Sequence, residues 1–285
     1  VKKVIIRKTE ELENWRRNIN SEINFIPTMG NLHNGHIKLI STAKNDNSYV
    51  NLVSIFVNPL QFSNTEDLDD YPLSLEKDEE TCLRHKVELL FCPTQSEIYP
   101  KGLPELEEIG EIGKTLEGES RPSHFQGVAT VVARLFEIVG STSAYFGEKD
   151  FQQLMVVNEL VKRHQFPVEI VACPTIRQID GLALSSRNVY LTEEQRADAP
   201  VLYRALMEGA ESVRCGEKKS ENLKKLISDI VINESKGDLD YVGVVDSETF
   251  TQLDSVLESG KQIRILIACN FGAARLIDNV GVVIP

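Results

Sequence analysis

Ten residues, Pro27 to His36 (PTMGNLHNGH), place two histidines three apart beside two glycines. Side chains at i and i+3 share one side of a helix start. His33 and His36 therefore face one phosphoryl group together and donate hydrogen bonds to charge that grows during displacement. Gly30 and Gly35 let the backbone approach a ligand closely, and a helix start offers N–H groups and a positive dipole end to an anion. A zinc reading lacks further ligands, because no cysteine or carboxylate stands nearby. The elements that must hold this segment follow from periodicity. Ile23 to Ile26 reads as a strand, and Ile37, Leu39, Ile40 and Ala43 line one helix face.

Three further clusters carry polar chemistry. FVNPLQF, Phe56 to Phe62, ends a strand over Val50 to Val57; Asn58 and Gln61 donate and accept without charge, which suits the hydroxyls and carboxylate of a small acid. Gly147, Glu148, Lys149 and Asp150 end another strand, with a mobile cation for phosphate and a carboxylate for ribose hydroxyls. Leu184, Ser185, Ser186 and Arg187 combine two hydroxyls with a guanidinium, groups suited to a departing polyphosphate.

Strands are expected also over Val87 to Cys92, Ala144 to Phe146 and Val168 to Val171, with helices around Leu75 to His85, Val128 to Val139 and Gln152 to His164. Their alternation predicts an α/β fold: a Rossmann-like, nucleotide-binding domain with a parallel sheet over residues 1–180. There the clusters emerge at the carboxyl ends of strands. A second, smaller α/β domain, 181–285, is expected from helices over Thr192 to Arg214 and Leu223 to Glu234 and strands over Asp240 to Asp246, Arg264 to Asn270 and Leu276 to Val283. The expected hinge is Ile179 to Leu184.

Composition sets outer bounds. The chain has 285 residues, 41% of them apolar, enough for a full core and a second unit. A formal charge of -12 without a basic run argues against nucleic-acid binding. Five scattered cysteines, no membrane-length apolar run and no cleavable leader point to the cytoplasm and no membrane partner. Asp67, Asp69 and Asp70 read as a solvated acidic loop.

In order and near-spacing, PTMGNLHNGH, FVNPLQF, RPSHFQGVATVV, FGEKDFQQL, LALSSRNVYL and ARLIDN resemble the motifs of the pantothenate synthetase, or pantoate–β-alanine ligase, family over essentially the whole chain. That family belongs to the nucleotidyltransferases that include class I aminoacyl-tRNA synthetases, and LSSR resembles a replacement for their Lys-Met-Ser-Lys-Ser loop. The resemblance implies ATP-dependent condensation of (R)-pantoate with β-alanine through pantoyl adenylate, releasing pyrophosphate and AMP.

Carried over residue by residue, the resemblance assigns ATP to Met29, Gly30, Asn31, Leu32, His33, Asn34, Gly35, His36, Gly147, Glu148, Lys149, Asp150, Ile176, Leu184, Ser185, Ser186 and Arg187. His36, His33 and Lys149 are the expected catalytic groups, and Gln61 and Gln153, with Asn58, the pantoate contacts. Asp78 would hold Mg²⁺ that accompanies ATP, and a homodimer through the larger domain is implied. Three departures stand out: Leu73-Ser74 in place of Arg-Thr, Ser123 in place of glycine in RPGHF, and Ile176 in place of valine. Two rivals remain at this point: a relative that adenylates a phosphorylated acid, disfavoured by the neutral Asn58 and Gln61, and a non-enzymatic nucleotide binder. The latter has no need of both histidines, Lys149, Gln153 and Arg187 together.

Overall fold

A computed structural model describes residues 4–43, 48–62, 74–255 and 257–285. Asp67, Asp69, Asp70 and Leu73 lie outside the described residues. The chain packs as two compact units, Val1–Glu148 with Gln152–Pro174, and Lys149–Phe151 with Thr175–Pro285. The division falls at Pro174/Thr175, ahead of residue 180, and Ile179 to Leu184 lies inside the second unit instead of forming a connection between the two.

The first unit contains β1 (Val4–Ile6), α1 (Thr9–Arg17), β2 (Glu22–Thr28), α2 (Asn34–Thr42), β3 (Tyr49–Ile55), α3 (Leu75–Arg84), β4 (Leu89–Phe91), α4 (Gln95–Ile98), α5 (Glu117–Ser120), α6 (His124–Val139), β5 (Ser143–Gly147), α7 (Phe151–His164, its first residue in the second unit) and β6 (Glu169–Cys173). Six parallel strands run in the order β1-β4-β3-β2-β5-β6. The chain moves outward one way from β2 through β3 and the other way from β5 to β6, so β2 and β5 flank the point where strand order reverses. Ligands in such sheets bind at that point, beyond the carboxyl ends.

Ile23, Phe25, Ile26, Leu52, Val53 and Ala144 are fully buried, as expected for parallel strands covered on both faces. One polar ladder crosses this core. Asn24 donates through Nδ2 to Asn51 Oδ1 at 2.9 Å, while its Oδ1 accepts from Ser143 Oγ at 2.9 Å and Tyr145 Oη at 3.3 Å. These bonds join β3, β2 and β5 in one register, because a one-residue slip would bury each group without its partner. The β2–β5 ladder covers only Asn24↔Ser143 and Phe25↔Ala144, and stops before Pro27, which has no N–H to give.

The second unit contains α8 (Glu193–Asp198), α9 (Val201–Arg214), α10 (Ser220–Glu234) and an antiparallel sheet of β7 (Asp238–Asp246), β8 (Gln262–Phe271) and β9 (Ala274–Val283). Leu202, Leu206, Val213, Leu223, Ile227 and Val231 of α9 and α10 pack with Ile263, Ile265 and Ile267 of β8. The single helix expected over Thr192 to Arg214 is two, since Pro200 supplies no N–H to continue the first. Among the described residues no helix is long and apolar enough to cross a membrane, and all five cysteines are free.

Candidate active site

At the carboxyl ends of the neighbouring strands β2, β3 and β5, the first unit presents Met29 to His36, Asn58 to Gln61, and Gly147 with Glu148. After β2 the chain turns through Gly30 and Asn31, whose φ values are 88° and 52°. Several of its N–H groups are taken by the protein's own side chains. Gly30 N donates to Thr28 Oγ1 at 3.2 Å, His33 N to His36 Nδ1 at 3.2 Å, and Gly35 N to His33 Nδ1 at 3.1 Å. The two histidines thus form a reciprocal cap on α2. The amides of Gly30, His33 and Gly35 are therefore not open to an anion.

That cap has a chemical consequence. Each Nδ1 accepts a backbone proton, so the neutral ring carries its own proton on Nε2. The rings lie 4.2 Å apart, centroid to centroid. Both imidazoles are thereby fixed as Nε2–H donors, the form required to bind phosphate oxygen.

Asp78 is not placed as a magnesium ligand. Its side chain lies 2% exposed in the first turn of α3, and its oxygens accept from Asn31 N at 2.8 Å and Leu32 N at 2.7 Å. Burial raises its carboxyl above the usual range, against the lowering effect of those two amides. A hydrated cation needs an accessible oxygen, so a resident Mg²⁺ does not fit here. Among the described residues no three His, Cys, Asp or Glu side chains cluster to hold a metal.

Asn58 also differs from its expected role. Fully buried, it donates from Nδ2 to Gln61 Oε1 at 3.1 Å and Gly127 O at 3.0 Å, and accepts at Oδ1 from Leu60 N at 3.3 Å and Tyr99 Oη at 3.0 Å. All four valences are spent inside the protein, leaving none for substrate. Asn58 instead orients Gln61, bonding its Oε1.

Residues without an assigned role support the same glutamine. His124 Nδ1 lies 2.9 Å from the Gln61 carbonyl, which only accepts, so this nitrogen donates. His124 Nε2 then accepts from Arg121 Nη1 at 3.2 Å, and Arg121 pairs with buried Glu117 at 3.7 Å. The RPSHF motif carried this signal without revealing its direction. Tyr99 carried none, being one tyrosine in an ordinary loop; burial pushes its phenol well above its usual range. Gly127 of α6 lies against Leu60, whose carbonyl oxygen would be 2.0 Å from any Cβ at that position.

Adjacent glutamines on α7 divide their work. Gln152 is buried and bonds Ile112 O at 2.6 Å, Thr115 O at 2.7 Å and Glu117 N at 3.2 Å. Gln153, on a different face of the helix, is half-buried.

Lys149, Asp150, Ile176 and Leu184 to Arg187 belong to the second unit. There Leu184 N donates to Ile176 O at 2.9 Å, and Ser185 caps a short 3₁₀ turn by accepting from Arg187 N at 3.2 Å. ARLIDN anchors two neighbouring residues, Arg177 and Lys149. Asp278 takes Arg177 in a two-pronged ion pair at 2.5 and 2.8 Å, and Asn279 donates to Lys149 O at 2.8 Å while accepting from Arg264 Nε at 2.7 Å. Lys149 Nζ itself lies 3.4 Å from Asp150 Oδ1.

Comparisons with known proteins give the family. Residues 4–281 match the family model described as pantoate-beta-alanine ligase. A pantothenate synthetase of Caldicellulosiruptor bescii is 42% identical over 97% of this chain and 98% of its own. Among solved structures, a pantothenate synthetase from Thermus thermophilus superposes with a TM-score of 0.89 at 43% identity, covering 97% of this chain and 98% of that one. A pantoate-beta-alanine ligase from Francisella tularensis, complexed with beta-gamma ATP and beta-alanine, gives 0.79 at 37% identity, covering 98% and 97%.

Proposed function

The chain belongs to the pantoate–β-alanine ligase family and catalyses ATP-dependent condensation of pantoate with β-alanine, and from that premise we propose which of its groups carry each step. In the first, a pantoate carboxylate oxygen bonds to the α-phosphorus of ATP and the bond to pyrophosphate breaks. In the second, the β-alanine amine attacks the acyl carbon of the adenylate, AMP leaves and the amine loses its proton. Neither step needs a covalent bond to the protein, so alignment and charge stabilisation carry the catalysis.

The observation that carries this reading is the fixed tautomer of His33 and His36, with backbone protons on both Nδ1 atoms. Their Nε2–H groups supply donors to the α-phosphoryl and leaving oxygens without waiting for a ring to reorient. Lys149 and Arg187, with Ser185 and Ser186, supply charge and hydroxyls to the phosphates. Gly147, Glu148 and Asp150 serve the ribose side and Ile176 and Leu184 the adenine. Gln61 and Gln153 hold pantoate by neutral hydrogen bonds, Asn58 acting on Gln61. Magnesium enters as the ATP complex, a part of the substrate. A homodimer and a cytoplasmic location are proposed on family likeness, and a molar-mass measurement tests the former.

Pantoate-dependent exchange of labelled pyrophosphate into ATP, with no amine present, tests the reaction order. Exchange that requires pantoate and not β-alanine is the expected result. Exchange that requires the amine, or none at all from protein that makes pantothenate, overturns the adenylate route.

A further inference from the structure

We propose that Asp78 is a positioning residue for adenylation: its carboxylate permanently fills the anion-binding concavity of the turn before α2, leaving the imidazoles, not the turn amides, as donors to the phosphates. The inference rests on the function given above and goes beyond it by assigning a residue and a division of labour.

Successive amides around a left-handed residue form a concavity suited to an anion. Here the concavity is built by Gly30 and Asn31 at positive φ, and its amides at Asn31 and Leu32 converge on the two oxygens of one buried carboxylate. The remaining amides of the segment at Gly30, His33 and Gly35 are satisfied by Thr28 and the two histidines. A phosphate arriving at this turn finds those amides taken. The route from Asp78 to the chemistry is short, since Leu32 immediately precedes His33, the residue that caps α2 and shares its backbone proton with His36. Asp78 comes from α3, a separate element, so the link clamps the turn to the body of the unit across 46 residues of chain. A charged carboxylate left in so buried a place without those amides is costly, which makes the clamp mutual.

Amide hydrogen exchange and kinetics test the assignment together. In the unaltered enzyme the Asn31 and Leu32 amides should exchange at least about tenfold more slowly than in an unstructured peptide, although they lie in a turn. Asp78→Asn keeps the size but turns an N–H₂ toward one of the two amides. Their protection should fall, and the turnover number for pantoate-dependent ATP–pyrophosphate exchange should drop by about a hundredfold, the scale of a displacement near 1 Å. The KM for pantoate and the Mg²⁺ concentration for half-maximal rate should stay within about twofold, as expected when only transition-state alignment is lost.

Unprotected Asn31 or Leu32 amides in the unaltered enzyme would overturn the proposal, and that measurement decides it even where the variant fails to fold. A half-maximal Mg²⁺ concentration raised about tenfold in Asp78→Asn, with turnover restored at saturating Mg²⁺, would make Asp78 a metal ligand instead. Wild-type turnover in folded Asp78→Asn, or loss that only tracks the folded fraction, would also sink it. Unaltered enzyme lacking pantoate-dependent exchange would refute the functional reading, while the amide measurement would still judge Asp78.

Discussion

Gly127→Ala isolates the support of Gln61, the proposed pantoate contact, from that contact itself. A Cβ at 127 would sit 2.0 Å from the Leu60 carbonyl oxygen, 2.4 Å from its carbon and 2.9 Å from Gln61 N. Ordinary contact begins at 3.4 Å, so the turn must withdraw by about 1.4 Å, and backbone on both sides offers no rotamer to yield. The same movement strains the 3.0 Å bond from Asn58 to Gly127 O, which orients the amide that bonds Gln61 Oε1. Overpacking of this kind costs about 1–3 kcal/mol of stability, and a displacement near 1 Å in a positioning group costs about a hundredfold in rate. Pantoate-dependent exchange should therefore lose about two orders of magnitude in kcat/KM for pantoate in folded protein. Binding of an ATP analogue alone, measured by calorimetry, should change little. A variant that keeps both wild-type melting temperature and wild-type pantoate kcat/KM would refute the argument that Gly127 sets the position of Gln61.

His36→Ala removes one fixed Nε2–H donor and the acceptor of His33 N; single-turnover adenylate formation should slow by about a hundredfold to a thousandfold, and near-normal adenylation would take His36 out of the mechanism. The neighbouring glutamines should separate cleanly. Gln153→Ala weakens pantoate binding by about 1–3 kcal/mol with little change in melting, whereas Gln152→Ala leaves Glu117 N, Ile112 O and Thr115 O without their partner and costs about 1–3 kcal/mol in denaturant unfolding. The opposite pattern would exchange their roles. Ser123 takes a φ of 69° at the start of α6 and makes no side-chain cap bond. Ser123→Gly should therefore raise unfolding free energy by about 0.5–1 kcal/mol, and a loss of stability would show that the serine contributes something beyond its strained backbone.

Much of the parallel sheet was legible because its strands are buried on both faces and read as apolar runs, as in Leu52-Val53 and Leu89 to Phe91. Two kinds of feature escaped. β1 is three residues long and α1 has one fully buried position, Leu12, too little pattern for a periodicity argument. Helix breaking at Pro200 was visible in the residue type, yet apolar spacing on both sides, from Leu191 to Val201 and Leu202, ran across it and suggested continuity. The antiparallel pairing in the second unit depends on how β7, β8 and β9 meet, which strand composition alone does not encode.

In the candidate site, residue types gave the kind of chemistry available but not which way the polar groups spend their bonds. Asn58 and Asp78 have the chemistry of substrate and metal ligands, and Asn58 stands within the FVNPLQF motif. Their valences are closed inward, on Gln61, Gly127 and Tyr99 in one case and on two turn amides in the other. A sequence gives a donor or acceptor count but not the partners brought by elements dozens of residues away, and a buried polar group is stable only if those partners are supplied. Gln61 and Gln153, the proposed pantoate contacts, differ from them in one respect. Asn58 occupies only the acceptor end of Gln61, and Gln153 stands half-buried beside a glutamine that takes the structural bonds. The physical distinction between a contact residue and its support is thus an unspent, oriented hydrogen-bonding group. By that criterion the proposed positioning shell of this enzyme includes Asn58, Asp78, Tyr99, Arg121, His124 and Asn279. Substitution there should act through the geometry of Gln61, the two histidines or Lys149 before it acts on substrate affinity directly.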